Sequence, residues 1–226
     1  MEWLTIGKSL IIAIFLLVGV VSCGVVQSPD AVELVRLKFG GGSDWYNGPT
    51  ELPNIAAYVR ENCGVNIFAT GKYVEPLDED LFSYPFIFMT GHGSVQFTEQ
   101  EAQRLRQYLE AGGFLFVNDD YGLDKSFRRE VKKIFPDKEL LELPFDHPIY
   151  HCFYDFPSGL PKIHEHDGKP PQGFGIFVEG RLVLFYDYES DIADGWDDPE
   201  VHNDPPEKRE EALKMGTNII IYALTH

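Results

Sequence analysis

Basic residues are scarce in this 226-residue chain: 19 Lys and Arg stand against 36 Asp and Glu, a formal net charge of −17. A surface that acidic repels phosphate backbones and anionic headgroups, which argues against nucleic acid as a partner. The plain alternative meaning of that charge is a soluble, self-repelling surface. Cysteine is scarce too, with only 3 in the chain. Cys23, Cys63 and Cys152 form neither a CxxC pair nor a GxCxG turn, so thiol-based metal binding and nucleophilic cysteine chemistry have no motif to stand on. No GxxxxGKS/T and no GxGxxG opening a helix is present, which removes the common nucleotide-binding fingerprints. Internal repeats and low-complexity stretches are missing as well. The one long apolar run, Leu10 to Val21, is shorter than the roughly 20 residues of a membrane-spanning helix.

That run has the setting of an export signal. Lys8 precedes it and small residues follow, the layout of a secretory segment over residues 1–22. It ends in Val20-Val21-Ser22-Cys23-Gly24, which resembles a bacterial lipobox, although that pattern prefers Leu at its first position and a smaller residue at its second. The expectation is a lipoprotein-type signal peptide with Cys23 lipidated, a linker over 23–31 and a single domain over 32–226. Plain secretion and an uncleaved anchor are the alternatives. A lipid anchor puts the chain on the periplasmic face of a bacterial membrane, and the absence of Asp after Cys23 permits delivery to the outer membrane. In an oxidising compartment Cys63 and Cys152 can pair, or each can be a small buried thiol.

The mature part reads as α/β. Residues 32–39 alternate as a strand, 51–62 read as a helix with Pro53 in its first turn and Gly64 past its end, and 65–68 form a short strand. A short polar turn over 77–83 leads to the apolar run 85–90, typical of a buried parallel strand. Thr98 and Glu101 make a capping box for a helix running to about Ala111, and Gly112-Gly113 stop it. A buried strand over 114–118 and a helix over 124–135 follow. This alternation predicts a doubly wound, mostly parallel sheet covered on both faces. The second half differs: 173–178 and 181–186 flank Glu179-Gly180 as a β-hairpin, an acidic loop spans 187–206, and a terminal helix starts near Pro206.

In an open doubly wound sheet, ligands bind beyond the carboxyl ends of the strands where the strand order reverses. With a flavodoxin-like order, that crevice lies between strands one and three. The loops around it carry Gly41, Gly42, Asp44 and Trp45, then Gly91, His92 and Gly93, then Asp119, Asp120 and Tyr121. These are the candidate ligand-binding residues, and His92, Asp119 and Asp120 are the candidate catalytic ones. A histidine with two carboxylates suits a metal or general acid/base work, and glycines permit close backbone approach by a ligand. Each has a plainer alternative: the glycines turn the chain, Asp119 and Asp120 cap the next helix, His92 is a structural histidine, and Trp45 is a packed lid. No metal ligand set is assigned and no cofactor is required by the sequence. Asp146, His147 and His151, and the run His164-Glu165-His166-Asp167, lack a firm zinc spacing and read as solvated loop residues. The acidic run Asp187, Glu189, Asp191, Asp194, Asp197 and Asp198 does not fit an EF-hand and reads as a solvated loop.

Several segments together carry a family resemblance. They are Gly40 to Tyr46, Leu52-Pro53-Asn54, Tyr84-Pro85-Phe86 with Thr90-Gly91-His92-Gly93, Leu109 to Asp119, Ser126-Phe127-Arg128-Arg129, and Asp146 to Tyr150. They resemble the bacterial domain-of-unknown-function family 4159 over about residues 32–226. The resemblance implies a fold like the class I glutamine amidotransferases. Larger relatives are membrane proteins linked to AAA ATPase and von Willebrand A-type partners, but their multi-span region is not seen in this sequence. In class I amidotransferases a cysteine nucleophile follows the strand after a Gly-Gly helix stop. Here that turn holds Asp119 and Asp120, which argues against glutaminase activity.

Three readings of function follow. One is a non-catalytic envelope module that binds a small polar ligand or a protein partner. Another is a metal-dependent hydrolase acting on a polar envelope substrate such as a glycan. The third is a structural or assembly factor without a ligand.

Overall fold

The computed structural model describes residues 31–226. The signal peptide, Cys23 and nearly all of the linker lie outside the described residues. No helix among the described residues is long and apolar enough to cross a membrane.

The strands are β1 (Val32–Glu33), β2 (Val35–Leu37), β3 (Ile67–Phe68), β4 (Tyr73–Val74), β5 (Phe86–Met89), β6 (Phe114–Asn118), β7 (Leu141–Glu142), β8 (Gln172–Val178) and β9 (Arg181–Tyr188). The helices are α1 (Glu51–Cys63), α2 (Glu99–Glu110), α3 (Asp124–Ile134), α4 (Pro199–His202) and α5 (Pro206–Thr225). The main sheet has 7 strands in the order β4-β2-β5-β6-β9-β8-β7. From β4 to β9 neighbouring strands are parallel, and β8 and β7 are antiparallel additions at one edge.

The first expected strand is split. Its start pairs with β3, and its second part lies between β4 and β5. Strands β4 and β7 have no counterpart in the sequence pattern; each is 2 residues long, too short to show one. The polar turn over 77–83 contains a 3-10 turn, Glu79–Ser83. The hairpin forms as expected, with Glu179 at φ 52° and Gly180 at φ 84°, the two positive values that a tight type I′ connection needs. The Thr98–Glu101 capping box is present, and Gly64 closes α1 in the left-handed conformation.

Residues alternate between the two faces of the sheet. Phe86, Phe88, Phe114, Phe116 and Phe185 point to the side covered by α1 and α5. Ile87, Met89, Leu115, Val117 and Leu184 point to the side covered by α2 and α3. On the first side the rings form a ladder across the strands, with Phe88–Phe116 centroids 5.5 Å apart and Phe116–Phe185 6.0 Å apart. Trp196 caps this ladder, 5.6 Å from Phe88 and 5.8 Å from Phe116, and its indole N–H donates to Ala212 O at 2.9 Å. Gly216 makes room for it: a Cβ there would lie 2.5 Å from the indole. Trp196 thereby ties the segment after β9 into the core.

This corrects the expectation of a solvated loop over 187–206. Asp187, Glu189, Asp191, Asp194 and Asp197 are all buried. The reason is topological: β9 is the second strand of a hairpin, but it also pairs in parallel with β6, so its carboxyl end joins the same sheet edge as β5 and β6. Cys63 and Cys152 are free thiols. Cys152 donates to Asn218 O at 3.2 Å, and burial pushes its pKa up to about 11.

Candidate functional site

The chain leaves β2 towards β4 on one side and towards β5 and β6 on the other, so the order reverses beside β2. The loops at the carboxyl ends of β2, β5, β6 and β9 meet there. A cleft of about 430 Å³ is lined by His92, Asp120, Tyr121, His164, Glu165, His166, Asp191 and Asp194.

Gly91 makes the first junction possible. Its φ is 137°, and a Cβ there would lie 2.4 Å from Ser43 Oγ, so only glycine lets these two loops touch. The contact brings Asp44 to His92: its Oδ1 accepts the His92 backbone N–H at 2.6 Å and its Oδ2 lies 3.1 Å from Nδ1. Thus oriented, His92 turns Nε2 to Asp120 Oδ1 at 3.1 Å, while Asn47 donates to Asp120 Oδ2 at 2.9 Å.

Asn118, the last residue of β6, organises the turn after β9. It donates to Thr90 Oγ1 at 3.2 Å and to Asp191 Oδ1 at 3.0 Å, and accepts from Ala193 N at 2.9 Å. Asp187 accepts from Asp119 N at 3.0 Å and Ile192 N at 3.2 Å. Asp191 then meets His166 Nε2 at 3.2 Å, and Asp194 meets His164 Nδ1 at 2.8 Å. The histidine loop is held by Glu189, whose carboxylate takes Lys162 Nζ at 2.7 Å and Asp167 N at 3.0 Å. Non-glycine residues with positive φ gather here, Tyr121 at 48°, Glu189 at 59° and Asp191 at 56°, a concentration of strain typical of functional sites.

Electrostatically the carboxylates of the cleft are balanced by histidines rather than by Lys or Arg. Among the described residues, the ion pairs of Asp120, Asp191 and Asp194 are with histidines only. Burial, reinforced by Asp191 and Asp194, pushes Asp120 up to about 7. Burial raises Asp119 to about 6 despite the nearby His166. Burial also raises Asp194 against the pull of His164. Asp191 goes the other way: burial opposes its charge, but His164, His166 and Asn118 outweigh it and hold the carboxyl below its usual range. Hydrogen bonds to Asp191 and Asp194 raise His164 to about 10. Burial works against a charged His92, yet Asp120 and Asp44 hold its pKa above the ordinary value.

Two overlapping donor groups are close enough to hold a cation: Asp120, Asp191 and Asp194, and His164, Asp194 and His202, each with ligand atoms within 4.8 Å of one another. Two buried polar atoms in the same region have no hydrogen-bond partner, Asp119 Oδ1 and His166 Nδ1.

Of the residues expected at the crevice, Asp44, His92, Asp119, Asp120 and Tyr121 come together. Gly91 and Gly93 serve through their backbone, Gly93 N reaching Tyr121 O at 3.5 Å. Gly41, Gly42 and Trp45 are not on the cleft. Gly41 packs against the 94–96 backbone, a Cβ there falling 2.5 Å from Ser94 O, and a side chain at Gly42 would meet nothing. Trp45 turns outward to Tyr73, with ring centroids 5.0 Å apart. Asp119 and Asp120 do not cap α3, because that helix begins at Asp124 with Leu123 before it. The expectation that His164, His166 and the acidic run are solvated is corrected: they line or support the cleft. Their signal in the sequence is Asp187 at the end of an apolar strand run, followed by Asp191-x-x-Asp194. It becomes readable once β9 is placed in the parallel sheet.

No curated protein matches the chain. The profile of the family described as "Domain of unknown function (DUF4159)" matches residues 33–224, and the protein belongs to that family.

Proposed function

We propose that this protein is an exported, membrane-tethered hydrolase that uses a divalent cation held by Asp120, Asp191 and Asp194 and acts on a polar envelope substrate such as a glycan. The observation that carries this reading is the convergence of these buried carboxylates with no Lys or Arg among their ion pairs. Burying carboxylates costs several kcal/mol unless a proton or a cation compensates. The fold supports the same reading. The order β4-β2-β5-β6-β9 agrees with a flavodoxin-like, class I amidotransferase-like sheet, in which Asp119 or Asp120 would take the place of the cysteine. Among the described residues no Cys, Ser or Thr lines the cleft, so attack by water suits it better than a covalent acyl intermediate.

A cation in this seat supplies a Lewis acid that eases deprotonation of a bound water. The protein's own groups do the rest. Asp44 fixes the ring of His92, which can hold or release a proton at Nε2 beside Asp120. Asp119, buried with Oδ1 unpartnered, suits the role of general base. The ion pair between His92 Nε2 and Asp120 also favours a second reading, a non-catalytic module, because it occupies the proposed acid/base group.

The test is a panel of chromogenic phosphoesters, esters and glycosides, assayed with the full chain after chelation and after addition of Mn²⁺, Zn²⁺ or Mg²⁺. Metal-restored turnover that disappears in Asp120→Asn and His92→Ala is the expected result. Cation binding without turnover on any substrate would favour the binding module. A protein that binds none of these ions would overturn the hydrolase.

A further inference from the structure

We infer that the cleft seats a second divalent cation, held by His164, Asp194 and His202, with Asp194 shared between the two ions. This inference rests on the first seat proposed above. The two donor groups have Asp194 in common, and the ligand atoms of each lie within 4.8 Å of one another. Seats that share a carboxylate fall near the roughly 4 Å spacing of two-metal centres.

The orientation of the rings is the stronger argument. His164 Nδ1 faces Asp194 Oδ2 at 2.8 Å and His202 Nδ1 faces the same oxygen at 3.5 Å. Each ring gives its other nitrogen to an outer carboxylate: His164 Nε2 to Asp204 Oδ2 at 3.1 Å, and His202 Nε2 to Asp197 Oδ2 at 3.3 Å. With the ring neutral, an outer carboxylate that takes the Nε2 proton would leave Nδ1 free to ligate inward, the usual arrangement of a metal-ligating histidine. In the metal-free protein a proton sits between His164 Nδ1 and the Asp194 oxygen, and a divalent cation would displace it, since a ligating histidine is neutral. The outer shell is itself fixed. Asp197 Oδ1 accepts from Thr50 Oγ1 at 2.5 Å, and Asn54 donates to Trp196 O and Asp198 Oδ1, both at 2.9 Å. The short helix α4 that carries His202 is therefore pinned to the start of α1.

A separate observation points to a ligand at this edge. The side chain of His166 is 6% exposed, it lines the cleft with His164 and Asp194, and its Nδ1 has no hydrogen-bond partner, Asp119 Oδ2 standing off at 4.0 Å. The two seats differ in chemistry. An all-oxygen group suits Mg²⁺, Ca²⁺ or Mn²⁺, whereas two imidazoles and a carboxylate suit Zn²⁺, Mn²⁺ or Co²⁺. Mn²⁺ is common to both and is the probe of choice.

The experiment uses the full chain in mild detergent, stripped with chelator and reloaded with Mn²⁺. Bound metal is counted by mass spectrometry, and the Mn²⁺ is examined by electron paramagnetic resonance. Two ions per chain with a spin-coupled spectrum are expected for the wild type. His202→Ala should hold one ion with an isolated six-line spectrum, and Asp194→Asn should weaken both seats. A wild type that saturates at one ion, with no spin coupling, overturns the second seat and leaves the first standing. This outcome depends on no variant folding correctly. A wild type that binds no Mn²⁺ at all removes the first seat, and the second falls with it.

Discussion

Glu130 and Asp120 are both buried acids, and their surroundings are opposite. Glu130, on α3, accepts the Phe97 N–H at 2.9 Å and pairs with Arg129 at 2.7 Å and Lys133 at 2.8 Å. Burial works against its charge, but Lys133, the Phe97 amide and Arg129 outweigh it and lower its pKa. Asp120 has one asparagine and one histidine, and two further carboxylates within reach. Its pKa is pushed up to about 7. Burial alone therefore does not separate a structural acid from a functional one; the balance of neighbouring charge does. The knot around Glu130 is closed by fixed charges of its own, whereas the cleft carboxylates depend on protons held by themselves or by histidines, which a cation can replace.

The comparison breaks most directly at Glu130. Glu130→Ala leaves the buried Phe97 amide without an acceptor and Lys133, which still donates to Phe97 O at 2.9 Å, without its carboxylate, and should cost about 2–3 kcal/mol, read from the guanidinium unfolding midpoint. Cation binding at the cleft should not change. A neutral effect on stability would mean that the knot is ornamental and that the contrast with Asp120 has no energetic content.

Glu189 sharpens the contrast, because it is a balanced acid inside the unbalanced region. It touches no proposed ligand atom; it grips Lys162 and the Asp167 and Lys169 amides, and so positions the loop that carries His164 and His166. Glu189→Gln should weaken Mn²⁺ affinity by about tenfold through that loop, as loss of outer-shell support commonly does. Titration calorimetry would show it. Unchanged affinity would make Glu189 a purely local clamp.

Much of this architecture is legible in the amino-acid order. The Thr98–Glu101 box, Gly64 and the Glu179-Gly180 turn are chemical signals confined to a few residues, and each acts locally in the fold. The crevice between β2, β5 and β6 is legible as well, because buried strands announce themselves as apolar runs and their carboxyl ends share an edge. The role of β9 is not. A hairpin strand and a parallel strand have the same local pattern, and only the long-range pairing with Asn118 shows which edge Asp187 joins. His164, His166, Asp191, Asp194 and His202 all hang on that one pairing. Trp45 shows the converse error: it lies in the right loop, yet its ring follows Tyr73 and Lys38 outward.

Asp120→Asn tests the other half of the contrast. In metal-free protein it removes one of several mutually repelling carboxylates, so stability should rise by about 1 kcal/mol, the usual gain when a site's built-in cost is relieved. Differential scanning calorimetry in chelator would measure it. A loss as large as that of Glu130→Ala would erase the distinction between the two acids.

The subtlest effect is in the pH profile, where the two acids should act with opposite sign. The folded pKa of Glu130 lies below its unfolded value, so between the two the native state holds fewer protons, and stability rises with pH. Its contribution is complete above the ordinary carboxylate range and is lost as pH falls through the lowered value. For Asp120, the native state between about pH 4 and 7 keeps a proton that the unfolded chain has released. Its contribution therefore shrinks as pH rises across that window, with a slope no steeper than about 1.4 kcal/mol per pH unit. Melting temperatures of chelated protein from pH 3 to 8 should show both limbs. Glu130→Ala should flatten the acid limb alone, and Asp120→Asn the decline towards neutrality alone. If both variants kept the wild-type profile, other groups would be setting it, and charge balance would no longer explain why one buried acid holds the fold and the other waits for a cation.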